Sequence, residues 1–311
     1  PRSTLFPYTT LFRSTSGATE SNNLAIKGVC EMYRAKGGHV ITSVIEHRAT
    51  LDTCRFLEQR GLRVTYIGVD KNGFVRLDEL QKAICEETVL ISIMHANNEI
   101  GTVQPIQAIG KIAKEHGIFF HTDATQSAGK IPFNVLQMNV DLASLSAHKM
   151  YGPKGIGALY VRKQNPRVRL EPLIHGGGHE RGLRSGTLNV PGIVGFGAAA
   201  QIACADMEKD EKRIMGLREK LRNGILNGLD YVNVNGSLEH RLAGNLNISF
   251  AFLEGETLLR AISEKVAVSS GSACASAASE PSYVLKEIGV PENLIHPDRK
   301  STRLNSSHRI R

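Results

Sequence analysis

A lysine near the end of a strand-like run is the first residue whose surroundings indicate chemistry. Segment 144–155 places Lys149 directly after His148 and three residues after Ser146, with a Gly-Pro turn following. A lysine amine in such a place can form an imine with an aldehyde cofactor, while the hydroxyl and the imidazole help to hold a phosphate. A Ser-x-His-Lys motif alone is more often a solvated surface lysine, so its role depends on the other motifs.

A carboxylate closes another strand-like run. Asp123 lies in segment 120–126, which also contains Gln126. A carboxylate there can pair with a protonated pyridine nitrogen, which keeps the ring electron-withdrawing and stabilises a neighbouring carbanion. The alternative role of this aspartate is to cap the next helix.

Three further polar segments lie where a phosphate, a ring or a substrate needs partners. The glycine-containing turn 15–21 leads into a helix whose free N–H groups attract phosphate, or it forms a capping box. His47 lies between a strand and a helix, where an imidazole covers a ring or moves protons; a structural histidine is the alternative. Segment 94–99 is suited to hydrogen bonds with a ring hydroxyl or a substrate carboxylate.

Two loops complete the set of candidate segments. The Gly-rich segment 175–187 predicts a loop close to a ligand or a neighbouring subunit, and its two histidines share no helix face, so we predict no metal site. The small-residue segment 269–277 places Cys274 on an accessible loop, where its thiolate can act as a nucleophile. The other cysteines lie in helical patterns and are expected to be inert and buried: Cys30, Cys54, Cys85 and Cys204.

The elements that position these segments alternate along the chain. Strand-like runs cover 39–45, 63–69, 89–94, 118–122, 142–145 and 156–161, and helical patterns cover 49–59 and 105–116. This alternation predicts an α/β fold with a mostly parallel sheet flanked by helices, which binds ligands beyond the carboxyl ends of its strands. A long helical region then leads to a second unit with predicted strands at 245–250 and 266–269 and helices at 254–265 and 281–288.

Composition excludes several classes of protein. The 311 residues are 41% hydrophobic and 22% charged, without a secretory signal or the run of about 20 apolar residues that a membrane span needs. Five cysteines without a Cys-x-x-Cys pair argue against a disulfide framework and fit a reducing compartment. Residues 1–14 carry +2 and residues 298–311 carry +4 of the net charge of +8, which leaves +2 for residues 15–297. So small a charge does not predict a nucleic-acid partner.

The two ends of the chain look foreign to the rest. Residues 4–14 and 298–308 each resemble one translated reading frame of a common DNA-sequencing adapter. We therefore expect residues 1–14 and 298–311 to be assembly artefacts, and residues 15–297 to be an internal piece of a longer protein.

Seven motifs, taken together and in order, resemble the pyridoxal-phosphate-dependent cysteine desulfurases of iron–sulfur cluster assembly, in the class V aminotransferase superfamily. They are TSGATE, EHRATLDTC, MHANNEIG, HTDATQ, AHKMYGPKG, GGGHERGLRSGT and SSGSACASA. The last is similar to the subgroup with a long mobile cysteine loop. The resemblance implies the PLP fold type I, with a large cofactor-binding domain at 15–207 and an incomplete smaller α+β domain at 208–297.

The resemblance also implies roles for the matching residues. Lys149 would hold pyridoxal 5′-phosphate and later move protons, while Asp123 pairs with the ring nitrogen and Gln126 with the ring oxygen. His47 would stack on the ring and act in acid–base steps, and Asn98 would contact the ring oxygen and the substrate carboxylate. The phosphate would be bound between the two subunits of a homodimer. One subunit would contribute Ala18, Thr19, Ser146 and His148, and the second would contribute Thr187.

The implied reaction converts L-cysteine to L-alanine and leaves a persulfide on Cys274. The persulfide sulfur would pass to an iron–sulfur scaffold protein and to other sulfur acceptors. Through this persulfide, Cys274 would transiently bind an iron–sulfur cluster. The alternatives are a selenocysteine lyase or another class V aminotransferase-like enzyme, or a non-catalytic binding protein on this fold.

The resemblance carries expectations about the ends of the chain and its compartment. The family has further segments at both ends, including an arginine that binds the substrate carboxylate, so we expect this chain to bind cofactor weakly and turn over poorly. The cytoplasm is the expected compartment, or the mitochondrial matrix for a eukaryotic source. Neither a nucleic acid nor a membrane is expected as a partner.

Overall fold

The structure, a computed structural model, describes residues 11–253, 255–268, 282–291, 294 and 301–305. The strands are β1 (Phe12–Thr15), β2 (His39–Ser43), β3 (Arg63–Ile67), β4 (Thr88–Ser92), β5 (Phe119–Asp123), β6 (Leu142–Ser146), β7 (Gly157–Val161), β8 (Val232–Val234), β9 (Asn247–Ala251) and β10 (Ser301–Asn305). The helices are α1 (Ala18–Met32), α2 (Arg48–Gln59), α3 (Leu77–Ala83), α4 (Ile106–Glu115), α5 (Val190–Gly228), α6 (Gly255–Ser263) and α7 (Tyr283–Glu287).

Seven strands form one sheet in the order β1-β7-β6-β5-β4-β2-β3. The five strands from β6 to β3 in this order run parallel, while β7 is antiparallel to β6 and β1 is antiparallel to β7. The prediction of a mostly parallel α/β sheet is confirmed. The carboxyl ends of β1, β2, β4, β5 and β6 therefore meet at one edge of the sheet, where the predicted site segments begin.

Successive residues of the buried strands face opposite sides of the sheet, as the two-residue period of a strand requires. Val40 and Leu90 pack against α1 and α2, whereas Ile41 and Ile91 pack in a second cluster with α4 and α7. Both faces are thus covered by helices. A smaller sheet of order β10-β9-β8 has its own apolar cluster around Ile248.

Several sequence predictions about elements differ from the structure. Residues 266–268 form no strand, and residue 269 lies outside the described residues. Strands β1, β8 and β10 and helix α3 were not predicted, because they are short and because β1 and β10 fall largely or wholly in the adapter-like end segments. The origin of the two end segments stays a prediction, which the source DNA would test.

The cysteine predictions hold for two of the four residues expected to be inert. Cys30 and Cys54 are fully buried in the α1–α2 cluster, and burial raises the pKa of the Cys30 thiol to about 12. Cys204 lies on α5 and is only half-buried. The prediction for Cys85 is wrong: this residue follows α3 in a turn, and its Sγ lies 2.7 Å from Nη2 of Arg63.

Helix α5 is 39 residues long. One 18-residue window of it has a mean hydropathy of 1.3, so among the described helices it meets the length and composition of a membrane span. Core helices of globular proteins meet the same condition, and α5 packs Phe196 and Ala199 into the cluster that contains α4. Of the 18-residue window, 17% is buried within the described part of the chain.

Candidate active site

A cleft of about 1190 Å³, including the solvent at its mouth, opens between the carboxyl edge of the large sheet and α5. Three predicted site residues line it, Asn98, Gln126 and Lys149, together with Lys130. Each of the three predicted residues follows a different strand of the sheet, β4, β5 or β6. The topology therefore assembles in one cleft three of the side chains that the sequence predicts to act together.

Lys149 is held by a tight turn that begins where β6 ends. It lies in a single 3-10 turn, Ala147–Met150, which ends at Tyr151 in the left-handed conformation (φ 63°). Just before it, the Ser146 hydroxyl and Nδ1 of His148 are hydrogen-bonded at 2.8 Å. Partial burial, followed by the charges of Lys149 and Lys154, lowers the pKa of His148, which favours a neutral imidazole at this position.

Asp123 is the last residue of β5 and only 6% exposed. Its Oδ2 accepts a hydrogen bond from Nδ2 of Asn22 on α1 at 2.7 Å, and its Oδ1 accepts one from the N–H of Thr125 at 2.9 Å. The second of these bonds closes a turn after β5, but residues 124–130 form no helix, so the alternative role of capping the next helix is wrong. The contact with Asn22 was not predicted, and it fixes the carboxylate from the opposite side.

Glu20 holds the turn before α1, although the capping box considered for this turn does not form. Gly17 precedes α1 without a side-chain cap, and Glu20 Oε2 instead accepts from the N–H of Ser16 at 2.8 Å. Arg184 donates from Nε to Oε1 of Glu20 at 2.8 Å, which ties the Gly-rich loop to this turn. Ala18, half-buried, is the first residue of the helix.

His47 caps α2, with its Nδ1 accepting from the N–H of Ala49 at 3.1 Å. Together with the exposed Thr19 it lines a second, open cleft of about 800 Å³ at the N-terminal ends of α1 and α2. The first cleft thus contains three of the predicted residues and the second contains two, whereas Ala18, Asp123, Ser146 and His148 line neither. Thr187 is exposed on the Gly-rich loop, and Cys274 lies outside the described residues.

The polar groups of the first cleft fit pyridoxal 5′-phosphate. Oδ1 of Asn98 is buried without a hydrogen-bond partner in the described part of the chain, and such an acceptor is unfavourable unless a ligand supplies a donor. Lys149 in this cleft supplies the amine that an aldehyde needs, and Asp123, at the end of β5 and outside the lining of the cleft, is a held carboxylate of the kind that a ring nitrogen needs. Within the described residues, His, Cys, Asp and Glu form no group of three or more that would hold a metal ion.

Comparison with known proteins agrees with this chemistry. The sequence pattern of the family "Aminotransferase class-V" matches residues 6–294. The "Cysteine desulfurase IscS" of Anaeromyxobacter sp. (strain Fw109-5) is 59% identical over 282 residues, which are 91% of this chain and 69% of the relative. The "Cysteine desulfurase, mitochondrial" of Arabidopsis thaliana is 58% identical over 281 residues, which are 90% of this chain and 62% of the relative.

Solved structures give the same result for the fold. A structure titled "NIFS-LIKE PROTEIN" superimposes with a TM-score of 0.85 at 41% identity, covering 95% of this chain and 77% of that one. Sheet topology, cleft residues and sequence relatives therefore point in one direction. The chain belongs to the aminotransferase class-V family, and within it to the cysteine desulfurases.

Proposed function

We propose that this protein binds pyridoxal 5′-phosphate in the cleft at the carboxyl edge of its large sheet and converts L-cysteine to L-alanine. The observation that carries the proposal is the convergence of Lys149, Gln126 and Asn98 on one cleft. Beside it, Asp123 is buried and hydrogen-bonded. The names of the relatives support L-cysteine as the substrate.

The bound cofactor supplies an electron sink for the α-carbon of the substrate. Lys149 holds the cofactor, and its amine later moves the proton at that carbon. Asp123, held by Asn22, keeps a proton on the ring nitrogen. Gln126 and Asn98 bind the ring oxygen, and Asn98 also binds the substrate carboxylate through its amide.

His47 stacks on the ring and exchanges protons with the reacting groups, as the resemblance implies. The phosphate is bound at the N-terminus of α1 by Ala18 and Thr19 and beside β6 by Ser146 and His148. The helix N-terminus contributes unpaired N–H groups and a partial positive charge, both of which favour an anion.

Cys274 receives the sulfur. Its thiolate attacks the substrate sulfur, the carbon–sulfur bond breaks, and the β-carbon of the product takes up a proton, so that alanine leaves and Cys274 carries a persulfide. A scaffold protein for iron–sulfur clusters and other thiol acceptors then take the outer sulfur atom. The cytoplasm of a bacterium is the compartment we propose, since the reaction needs reduced thiols and a close relative is bacterial.

The first test is to separate attachment of the cofactor from transfer of sulfur. Lys149→Ala is expected to abolish the visible absorbance of attached cofactor and to lower alanine formation by at least about 100-fold. Cys274→Ala is expected to keep the absorbance and lose sulfide release in the presence of dithiothreitol. The matched control is Cys204→Ala, which removes a half-buried thiol on α5 and is expected to change neither readout.

Two results would contradict the proposed function. One is alanine formation by Lys149→Ala at the rate of the unchanged chain, and the other is cofactor attached equally to lysines outside the cleft. Release of selenide from selenocysteine without release of sulfide from cysteine would instead identify a selenocysteine lyase.

We also propose that the site is completed by a second copy of the chain, which brings Thr187 to the phosphate. Apolar side chains are exposed around this loop, with Leu173 at 40%, Ile174 at 41%, Leu188 at 39% and Val190 at 59%. The N–H of Ser185 donates to the carbonyl of Ile174 at 3.2 Å, so these segments lie side by side. Exposed apolar surface of this kind is typical of a subunit interface.

Val190→Asp tests this interface, because it would bury a charge without a partner between the two subunits. We expect the variant to sediment as a monomer and to bind the cofactor more weakly. Leu136→Asp is the matched control, since Leu136 is similarly exposed, at 63%, in a segment away from the Gly-rich loop. A dimeric Val190→Asp protein with unchanged cofactor affinity would rule out this surface.

A further inference from the structure

A buried carboxyl lies beside His47, and the proposed reaction does not use it. Glu46 is 0% exposed, although charged side chains are rarely buried completely without a function or a partner. Its Oε1 accepts from the Ser43 hydroxyl at 2.6 Å. The N–H of Met94 donates to both carboxyl oxygens, at 2.9 Å to Oε1 and 3.0 Å to Oε2.

These hydrogen bonds extend the connection between β2 and β4 beyond the sheet. The last residue pair in the ladder of these two strands is Thr42 with Ser92. The Glu46 carboxyl then bridges to Met94, two residues past that pair. It therefore joins the two segments at the point where backbone pairing has ended and where the polar site residues begin.

A second buried link runs between the same two segments. Nδ2 of Asn97 donates to the carbonyl of Ile45 at 2.9 Å, and Oδ1 of Asn97 accepts from the N–H groups of Glu99 and Ile100 at 2.8 and 3.0 Å. Glu46 immediately precedes His47, and Asn97 immediately precedes Asn98. Each linking side chain thus lies next to one residue of the proposed site.

Helix α7 reaches the same turn from the other side. The Tyr283 hydroxyl donates to the backbone carbonyl of Glu46 at 2.6 Å, and the guanidinium of Arg48 lies 4.9 Å from the centre of the Tyr283 ring. His47, between these residues, also begins α2, since its carbonyl accepts from the N–H of Thr50 at 2.8 Å. The backbone on both sides of His47 is therefore fixed, and the side chain of Glu46 contributes to that support together with those of Asn97 and Tyr283.

We propose that Glu46 is a positioning residue, whose buried carboxyl fixes His47 relative to segment 94–98 and acts on the reaction through His47. The inference rests on the proposed function only in the assignment of a role to His47. A neutral carboxyl suits this place, since burial, with the nearby charge of Asp123, raises the pKa of Glu46 to about 8 against the opposing hydrogen bonds from Ser43 and Met94.

The test compares Glu46→Ala and Glu46→Gln with a buried carboxyl elsewhere. Asp141, 5% exposed, also accepts from a backbone N–H, that of Phe120 at 3.0 Å, but it lies at the opposite end of the sheet. We expect Asp141→Asn to lower the melting temperature and leave kcat unchanged. Glu46→Ala is expected to lower kcat by about 10- to 100-fold with KM within about threefold, and Glu46→Gln to recover part of the loss.

Double variants with His47→Ala test whether Glu46 acts through its neighbour. In that background Glu46→Ala is expected to lower kcat by less than about twofold further, because the effects of coupled residues do not add. An equal loss of kcat with and without His47, or an unchanged kcat in a folded but less stable Glu46→Ala protein, would overturn the proposal.

A readout on the cofactor-free chain keeps this test independent of the proposed function. Diethyl pyrocarbonate modifies accessible imidazoles, and peptide mass spectrometry measures the modification of His47 alone. We expect Glu46→Ala, but not Asp141→Asn, to raise the modification rate of His47 severalfold. Should Glu46→Ala fail to fold, Ser43→Ala removes one hydrogen bond and must show a smaller change in the same direction. An unchanged rate in every folded variant overturns the inference even if the chain proves to have another activity.

Discussion

At the scale of single residues, Lys130 is the group whose charge bears most directly on Lys149. Both amines line the same cleft. Burial, followed by the positive charge of Lys149, lowers the pKa of Lys130 to about 8. Because like charges in one cleft disfavour double protonation, the charge on each amine makes the other easier to deprotonate, and a neutral amine is the form that attaches an aldehyde.

Lys130→Met tests this effect of charge. The substitution keeps a long apolar side chain and removes the charge, so we expect attachment of pyridoxal phosphate to Lys149 to shift to higher pH. The measurement is the rate of appearance of the visible absorbance band as a function of pH. Lys111→Met, at an exposed position on α4, is the control. If the rate of attachment depends on pH in the same way in Lys130→Met as in the unchanged chain, the two amines do not interact.

The residues proposed to carry chemistry stand out in the sequence, whereas those that hold them do not. Lys149 and Asp123 are recognisable because a reactive side chain at the end of a buried strand is a local pattern. Asn22 contacts Asp123 across 101 positions of the chain, and Glu46 contacts Met94 across 48. Partners so distant in sequence depend on the order of the strands, which periodicity does not determine.

At the scale of elements, the turn before α1 depends on a glycine in β7. A Cβ atom added to Gly157 would lie 2.6 Å from Cα of Gly17 and 2.6 Å from the backbone carbonyl oxygen of Leu145. No flexible side chain is available to move away. Gly157 therefore allows the proposed phosphate-binding turn to lie directly against the sheet.

Gly157→Ala is expected to destabilise the protein by about 1–3 kcal/mol, since it overpacks a contact between backbones. It should also weaken cofactor binding, because the turn must move. Urea unfolding and cofactor titration measure the two effects. Gly197→Ala is the control: its Cβ atom would meet no atom within 4 Å, and alanine in place of glycine within α5 is expected to stabilise by up to about 1 kcal/mol. Equal stability of the two variants would contradict this role of Gly157.

The sequence predicted the central elements well and the edges of the sheet poorly. β2 and β6 begin at the predicted residues, because their apolar runs are buried on both faces and read as continuous. The antiparallel direction of β7 and the addition of β1 beside it were not predicted. An edge strand of four residues carries too short a pattern to be recognised, and its direction depends on the connection that precedes it.

At the scale of the whole molecule, buried titratable groups oppose folding on both sides of neutral pH. The pKa values of His39, His95 and His121 are lowered to about 4, chiefly by burial. An unfolded histidine titrates near 6.5, so the unfolded chain binds these protons first, and stability is lost as the pH falls from 6.5 towards 4. For Glu46 the shift is upward, so its contribution is lost as the pH rises from 4.5 through about 8.

His39 offers the clearest test, because it lies at the amino end of β2, away from the proposed site. Its Nδ1 is hydrogen-bonded to the hydroxyl of Thr88 and its Nε2 to that of Thr65, both at 2.8 Å. In a neutral imidazole one ring nitrogen accepts from its threonine hydroxyl. When the ring is protonated both nitrogens donate, so that hydroxyl must reorient to accept. The charged groups near the ring are Arg63, which lowers the pKa further, and Glu87, which raises it.

We therefore expect the urea midpoint of the unchanged chain to fall between pH 6.5 and 4, and to fall less steeply in His39→Gln, whose amide keeps a donor and an acceptor but does not titrate. His116→Gln is the matched control, because His116 is exposed after α4, and its slope should equal that of the unchanged chain. If both variants keep the full slope, the acid sensitivity lies in other groups. If both variants flatten the slope equally, burial is not the cause of the acid sensitivity, since of these two histidines only His39 is shielded from water.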